Sequence, residues 1–143
     1  MAESPLVLVT GASGFIASWV AFAALKQGYR VRGTVRSLKD NMKVGYLEQL
    51  CPDSKYKIEL CETDLNKPDG WDAAVKGATF IFHVASPFPI NEPRDKNELI
   101  KPAVEGTLHV LRAASRLEIP PKRVIITSST ASIAYGMFPA LLV

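Results

Sequence analysis

Gly11, Gly14 and Ala17 stand at three-residue steps directly after the apolar run Leu6–Thr10, in the stretch "VLVTGASGFIAS". Small residues at that spacing, where a strand gives way to a helix, meet a chemical need. Gly11 permits a backbone shape that a Cβ forbids. Gly14 lets main chain come close to a diphosphate, and Ala17 lets the helix pack on the strand. The amides of Ser13, Gly14, Phe15 and Ile16 open the helix, where unpaired N–H groups and the helix dipole favour phosphate oxygens. A bare G-x-x-G also fits a plain tight turn. Its place after a good strand, at the head of a βαβ unit, points to a dinucleotide.

A second group of residues bears on which dinucleotide. Thr34, Val35, Arg36 and Ser37 lie at the end of the second predicted strand, "RVRGTV". A fold that prefers NAD carries Asp or Glu there, accepting from the ribose 2′-OH. No acid stands at that point. A guanidinium grips a 2′-phosphate by two parallel bonds, so Arg36 argues for NADP(H). The plainer reading is a solvated surface arginine. Val84, Ala85 and Ser86 end the fourth predicted strand, on the side where open α/β sheets bind ligands. Their small side chains allow main chain to approach the nicotinamide-side ribose and phosphates. Ser86-Pro87 reads equally as an ordinary loop entry.

These residues need a scaffold. The strand Leu6–Thr10 predicts a helix from about Gly14 to Gln27, ended by Gly28. Ile16, Val20, Ala23 and Gln27 share one helical face, and Phe15, Trp19 and Phe22 the next, which predicts deep packing. After "RVRGTV", Ser37 and Asp40 read as a capping box for a helix reaching about Leu50. "KIELCE" is the third strand. A helix opened by Pro68 runs through Trp71 and Val75 and stops at Gly77. "TFIFHVA" is short and continuously apolar, as a strand buried on both faces should be. A long helix covers roughly Asn97 to Leu117, and Pro102 and Gly106 inside it leave open a kink or a later start. "RVIITSS" is the fifth strand. Trp19 and Trp71 read as packing residues, His83 as a core residue on a buried strand, and His109 as a lone histidine without a role. Strict alternation of strands and helices predicts an α/β protein with a parallel sheet and right-handed crossovers.

Bulk properties agree. The 143 residues make one domain, 48% of them are apolar, and 22% are charged. A net charge of +3 without a long Lys/Arg run gives no nucleic-acid or anionic-membrane footprint. Cys51 and Cys61 are too few for a disulfide scaffold and fit no zinc spacing, so no metal is expected and free thiols in a reducing cytoplasm are. Neither a signal peptide nor a membrane span is visible.

"TGASGFIA" resembles the T-G-x-x-G-x-x-[GA] loop of the extended short-chain dehydrogenase/reductases. "GTVRS", Asp64-Leu65, "FHVASP" (82–87), "IKPAVEGT" (100–107) and "TSS" (127–129) follow in that family's order. From about Leu6 to Ser132 the chain resembles the branch holding dihydroflavonol, cinnamoyl-CoA and aldehyde/ketone reductases, within the NAD-dependent epimerase/dehydratase superfamily. The resemblance implies a Rossmann-type doubly wound parallel sheet of about five strands, as an NADP-binding domain over residues 1–132. Residues 133–143 read as a divergent or truncated tail.

The resemblance also assigns roles. Lys43 becomes a second cation near the 2′-phosphate, against a plain exposed helix lysine. Asp64 and Leu65 fall at the adenine, although Asp64 also suits a turn bonding its own backbone. Ser129 matches the catalytic serine, against a polar residue closing a strand. In the family a Ser and a Tyr bind the carbonyl oxygen, and a Lys four residues after the Tyr lowers its pKa. Here Tyr29, Tyr46, Tyr56 and Tyr135 all lack that Lys. The expectation is therefore the cofactor half of an NADPH-dependent carbonyl reductase acting on a small molecule, without turnover by itself. A non-catalytic NADP(H) sensor, an epimerase/dehydratase fragment and an unstable fragment stand as alternatives. Oligomeric state carries no signal in the sequence.

Overall fold

Five short strands pair into one parallel sheet in the computed structural model, which describes residues 3–87 and 93–134. The strands are β1 (Leu6–Val9), β2 (Arg30–Val35), β3 (Glu59–Glu62), β4 (Ala78–His83) and β5 (Arg123–Ile126), in the order β3-β2-β1-β4-β5. The helices are α1 (Phe15–Lys26), α2 (Asn41–Val44), α3 (Trp71–Val75), α4 (Asn97–Ser115) and α5 (Thr130–Ala134). This is the doubly wound arrangement expected. The chain leaves β1 toward β2 on one side and toward β4 on the other, so a crevice opens between the carboxyl ends of β1 and β4.

Side-chain parity along β1 sorts the core into two layers. Val7 and Val9 face Ala17, Ala21 and Leu25 of α1. Leu8 faces the opposite way, into a cluster with Ile81, Trp71, Val75 and Val110 under α3 and α4. Trp71 is the largest fully buried side chain, and its indole N–H donates to the carbonyls of Asp64 and Lys67. It is the packing residue expected.

Several expectations need correction. In α1 the buried stripe is Ala17, Ser18, Ala21 and Leu25, not the larger residues. Phe15, Ile16 and Trp19 point outward, at 80%, 57% and 59% exposure. The first turns of the helix lie close on the sheet, where Ala17, Ser18 and Ala21 fit and Leu25 packs farther along, and Phe15, Ile16 and Trp19 are left for the other faces. Trp19 is thus a surface residue stacked edge-on against Phe22. The capping box is absent: Ser37 Oγ accepts from the Lys39 amide, and α2 starts at Asn41 with no side-chain cap. The segment then tightens into a 3₁₀ turn at Gly45–Gln49, so no single helix reaches Leu50. Helix α3 starts at Trp71, leaving Pro68 outside it, because Gly70 at φ 82° turns the chain just before. Strand β4 is buried on one face only: Ile81 is covered by α4, while Phe80 and Phe82 are partly open on the α1 side. Helix α4 continues through Pro102. Helix α5 was not foreseen. Tyr135 and the rest of the tail to Val143 lie outside the described residues.

Candidate functional site

The loop between β1 and α1 is shaped by Gly11 and Gly14 for different reasons. Gly11 has φ +67°, a left-handed conformation, and a Cβ there would stand 3.1 Å from the Ala85 Cβ. Gly14 has an extended backbone with φ −79°, so strain is not its reason. A Cβ on Gly14 would meet the Gly11 carbonyl at 3.2 Å. Its amide donates to that carbonyl at 2.8 Å, closing the turn. Contrary to the simplest reading, the Gly14 N–H is therefore spent inside the loop. The amides of Ser13, Phe15 and Ile16 find no acceptor among the described residues. Helix α1 has no acid in its first turn and no side-chain cap, so its amino end stays positive and open.

Neighbouring strands hold this loop in place. The Gly11 amide donates to Thr34 Oγ1 at 3.2 Å and the Ala12 amide to the Thr34 carbonyl at 2.8 Å. Ala12 packs so tightly on β2 that a Cβ on Gly33 would fall 2.6 Å from its own. Tyr46, from the 3₁₀ turn, donates its hydroxyl to the Ser13 carbonyl at 3.1 Å. Neither Gly33 nor Tyr46 stood out in the sequence. Gly33 was legible as an interior strand glycine, which marks a close approach of backbone.

Arg36 follows β2 directly, is exposed, and makes no hydrogen bond or ion pair among the described residues. Lys43 is engaged: its ammonium lies 3.2 Å from the Asp40 carboxylate, three residues back on the exposed face. An acid is nearer to the end of β2 than the linear sequence suggested. Glu62 pairs in register with Val35, and its carboxylate accepts from the Leu38 amide at 2.7 Å.

Asp64 adopts the turn geometry, its Oδ1 accepting from the Asn66 amide at 2.9 Å. Leu65 packs under α4, where a Cβ on Gly106 would come within 2.7 Å of it. Val84 and Ala85 sit across the crevice from Gly11, half-buried, and Ser86 is exposed. Both Val84 and Ala85 amides donate to Thr10 Oγ1, each at 3.0 Å. Ser129 lies beyond β5, at the same carboxyl edge of the sheet. Its Oγ accepts from the Ala131 amide at 3.2 Å, at the start of α5. Gly11, Ser13, Gly14, Phe15, Ile16, Val84 and Ala85 thus converge at the mouth of the β1/β4 crevice. Arg36 and Lys43 lie on its β2 side, Asp64 and Leu65 beyond β3, and Ser129 at β5.

Burial pushes the His83 imidazole below its ordinary pKa and the Cys61 thiol above its own. Cys51 and Cys61 are both free. Among the described residues no cluster of His, Cys, Asp or Glu suits a metal ion, and no helix is long and apolar enough to cross a membrane.

An open sheet with a glycine turn and an uncapped helix at its switch point defines a Rossmann-type α/β protein. Residues 7–140 match the model of the NAD dependent epimerase/dehydratase family, and the chain belongs to that family. It is 39% identical to a dihydroflavonol 4-reductase of Dianthus caryophyllus over 92% of its own length and 36% of the relative's. To cinnamoyl-CoA reductase CAD2 of Medicago truncatula it is 41% identical, over 94% of this chain and 40% of the other. Among solved structures, vestitone reductase from alfalfa matches with a TM-score of 0.68 at 35% identity, over 88% of this chain and 36% of that one. Yeast methylglyoxal/isovaleraldehyde reductase Gre2, complexed with NADPH, matches with a TM-score of 0.73 at 31% identity, over 88% and 37%. The chain therefore spans well under half the length of the relatives it matches.

Proposed function

We propose that this chain is the cofactor-binding half of an NADPH-dependent carbonyl reductase acting on a small aldehyde or ketone. The observation that supports this most is the set of Ser13, Phe15 and Ile16 amides at the open end of α1, which, like the Arg36 guanidinium after β2, have no partner among the described residues. Those groups fit a diphosphate with one further phosphate near Arg36. In this reading Gly11 and Gly14 keep side chains out of the diphosphate's way. Arg36 takes the 2′-phosphate, with Lys43 joining after exchanging Asp40 for it. Asp64 keeps one carboxylate oxygen outside its turn for the adenine amine, and Leu65 offers the ring an apolar wall. Val84, Ala85 and Ser86 line the nicotinamide side. When bound, the dihydronicotinamide supplies the hydride.

Ser129 uses a lone pair on the Ala131 amide and retains its hydroxyl proton, which it can donate to a carbonyl oxygen. That steadies a developing oxyanion but does not replace a general acid. With no Tyr-x-x-x-Lys in the 143 residues, the chain is expected to bind cofactor without reducing aldehydes at a measurable rate. A general acid contributes about a hundred- to ten-thousandfold. Clear turnover of NADPH with a panel of aldehydes contradicts this part of the reading. A non-catalytic NADP(H) sensor shares the same site and the same lack of turnover.

Binding itself is tested by substitution. Arg36→Ala is expected to weaken NADPH by roughly ten- to a hundredfold, the worth of one charge-assisted contact, and to leave NADH nearly unchanged. Equal losses for the two nucleotides would remove the role given to Arg36.

A further inference from the structure

We infer that His83 is a positioning residue of the cofactor site, holding the Val84–Ala85 backbone against the glycine loop through Thr10 while its ring is neutral and protonated on Nε2. The inference rests on the cofactor reading above. It starts from the Thr10 hydroxyl, which is fully buried and surrounded by three polar groups. The Val84 and Ala85 amides both donate to it at 3.0 Å. A hydroxyl oxygen has two lone pairs, and these amides occupy them. Its proton must then go to the third neighbour, His83 Nδ1, 3.0 Å away. An accepting Nδ1 places the ring proton on Nε2, which lies 3.3 Å from Thr107 Oγ1. Thr107 in turn donates to the Ala103 carbonyl at 2.8 Å. One directed chain of hydrogen bonds thus runs from the β4 loop through β1 and His83 into α4.

This chain ends at the cofactor site. The backbone it fixes carries Ala85, whose Cβ lies against Gly11. His83 is 4% exposed, so water does not substitute for a lost bond. A second ring proton would sit on Nδ1 and point at an oxygen with no lone pair left. One of the two amides must then let go, and the β4 loop moves relative to Gly11. Among the described residues, no charged side chain makes a hydrogen bond or ion pair with the ring to offset this. β1 presents Thr10, α4 presents Thr107, and β5 bonds only the His83 carbonyl through the Thr127 amide. Burial already pushes its pKa below the ordinary value.

The sign follows from linkage: cofactor binding favours the neutral ring, so affinity falls with acid and bound NADPH lowers the His83 pKa. The test compares the chain with His83→Asn, whose side-chain oxygen keeps an acceptor near the Nδ1 position but does not titrate. NADPH is titrated into both from about pH 7.5 down to the lowest pH at which both stay folded. The 2′-phosphate's own titration is common to both and cancels. The native chain is expected to lose about three- to tenfold more affinity than the variant, the worth of one neutral hydrogen bond. Equal losses overturn the inference and leave the cofactor site standing. No NADPH binding by the native chain at any pH overturns the cofactor reading itself. If the variant does not fold, long-range proton–nitrogen NMR of the native imidazoles decides. The expected result is an Nε2–H tautomer near neutral pH and a His83 pKa that drops when NADPH is added. An Nδ1–H tautomer, or a pKa indifferent to NADPH, overturns the inference.

Discussion

Gly11 carries two constraints at once, a positive φ and a neighbour closer than van der Waals distance to where a Cβ would stand. Gly11→Ala is expected to lose about 1–2 kcal/mol from the left-handed conformation, with crowding against Ala85 added. Urea unfolding measures that loss, and NADPH affinity should fall with it. An unchanged midpoint would mean that the loop relaxes freely and that its shape is not fixed by the glycine. His83 gives stability a pH dependence of definite sign. Its folded pKa lies below the ordinary 6.5, so the unfolded chain takes up the proton first. Its contribution is complete above about 6.5 and is lost as pH falls from there through the depressed folded value. Urea titrations of the native chain and His83→Asn should diverge over that window. At this scale the glycine turn was legible because its geometry is written in residue type and spacing. The Thr10–His83–Thr107 chain was not, because its members lie 73 and 24 residues apart and meet only when β1, β4 and α4 assemble. Glu62 was hidden for the same reason: register across β2 and β3, not sequence distance, sets it beside Val35.

At the scale of elements, the five strands and the long α4 were readable from apolar runs and helical pattern. Of the short helices, α2 and α3 were legible in place but not in length, and α5 was not legible. Gly70, at φ 82°, delays the start of α3, and the segment after α2 tightens into a 3₁₀ turn from Gly45 onward. Helix α1 shows a second limit. Its apolar residues surround it, so periodicity could not say which stripe faces the sheet. Close packing chose the alanines. The same logic applies where α4 crosses the β3–α3 loop. Gly106 is buried against Leu65, with side-chain atoms of Leu65 2.7 and 2.8 Å from the site of a Cβ. Gly106→Ala is expected to destabilise by about 1–2 kcal/mol. Overpacking of about 1–3 kcal/mol exceeds the helix-propensity gain of up to about 1 kcal/mol. A rise in the urea midpoint would show that Leu65 yields without cost. This variant should also weaken NADPH, because Leu65 is assigned to the adenine.

At the scale of the molecule, the sheet is covered unevenly. α3 and α4 cover one face, but on the other α1 stops short of β5. An apolar groove is left there, lined by Val20, Ala23, Phe80, Phe82 and Ile125. Exposed apolar surface of this kind binds environment-sensitive dyes. The folded chain should enhance anilinonaphthalene fluorescence, and Ala23→Arg, at an exposed rim position, should reduce it without lowering the melting temperature. A dye signal untouched by that change would locate the apolar surface elsewhere. The relatives matched are more than twice as long as this chain, and reduction of a carbonyl is expected only where a Tyr-x-x-x-Lys joins Ser129.

All of this depends on the crevice between β1 and β4 receiving a phosphorylated dinucleotide. Calorimetric titration of the folded chain with NADPH and, separately, with NADH measures that directly. Saturable heat with NADPH, and binding at least tenfold weaker with NADH, is the result expected from open amides at α1 and the exposed guanidinium after β2. Folded chain that gives no heat with either nucleotide would contradict it.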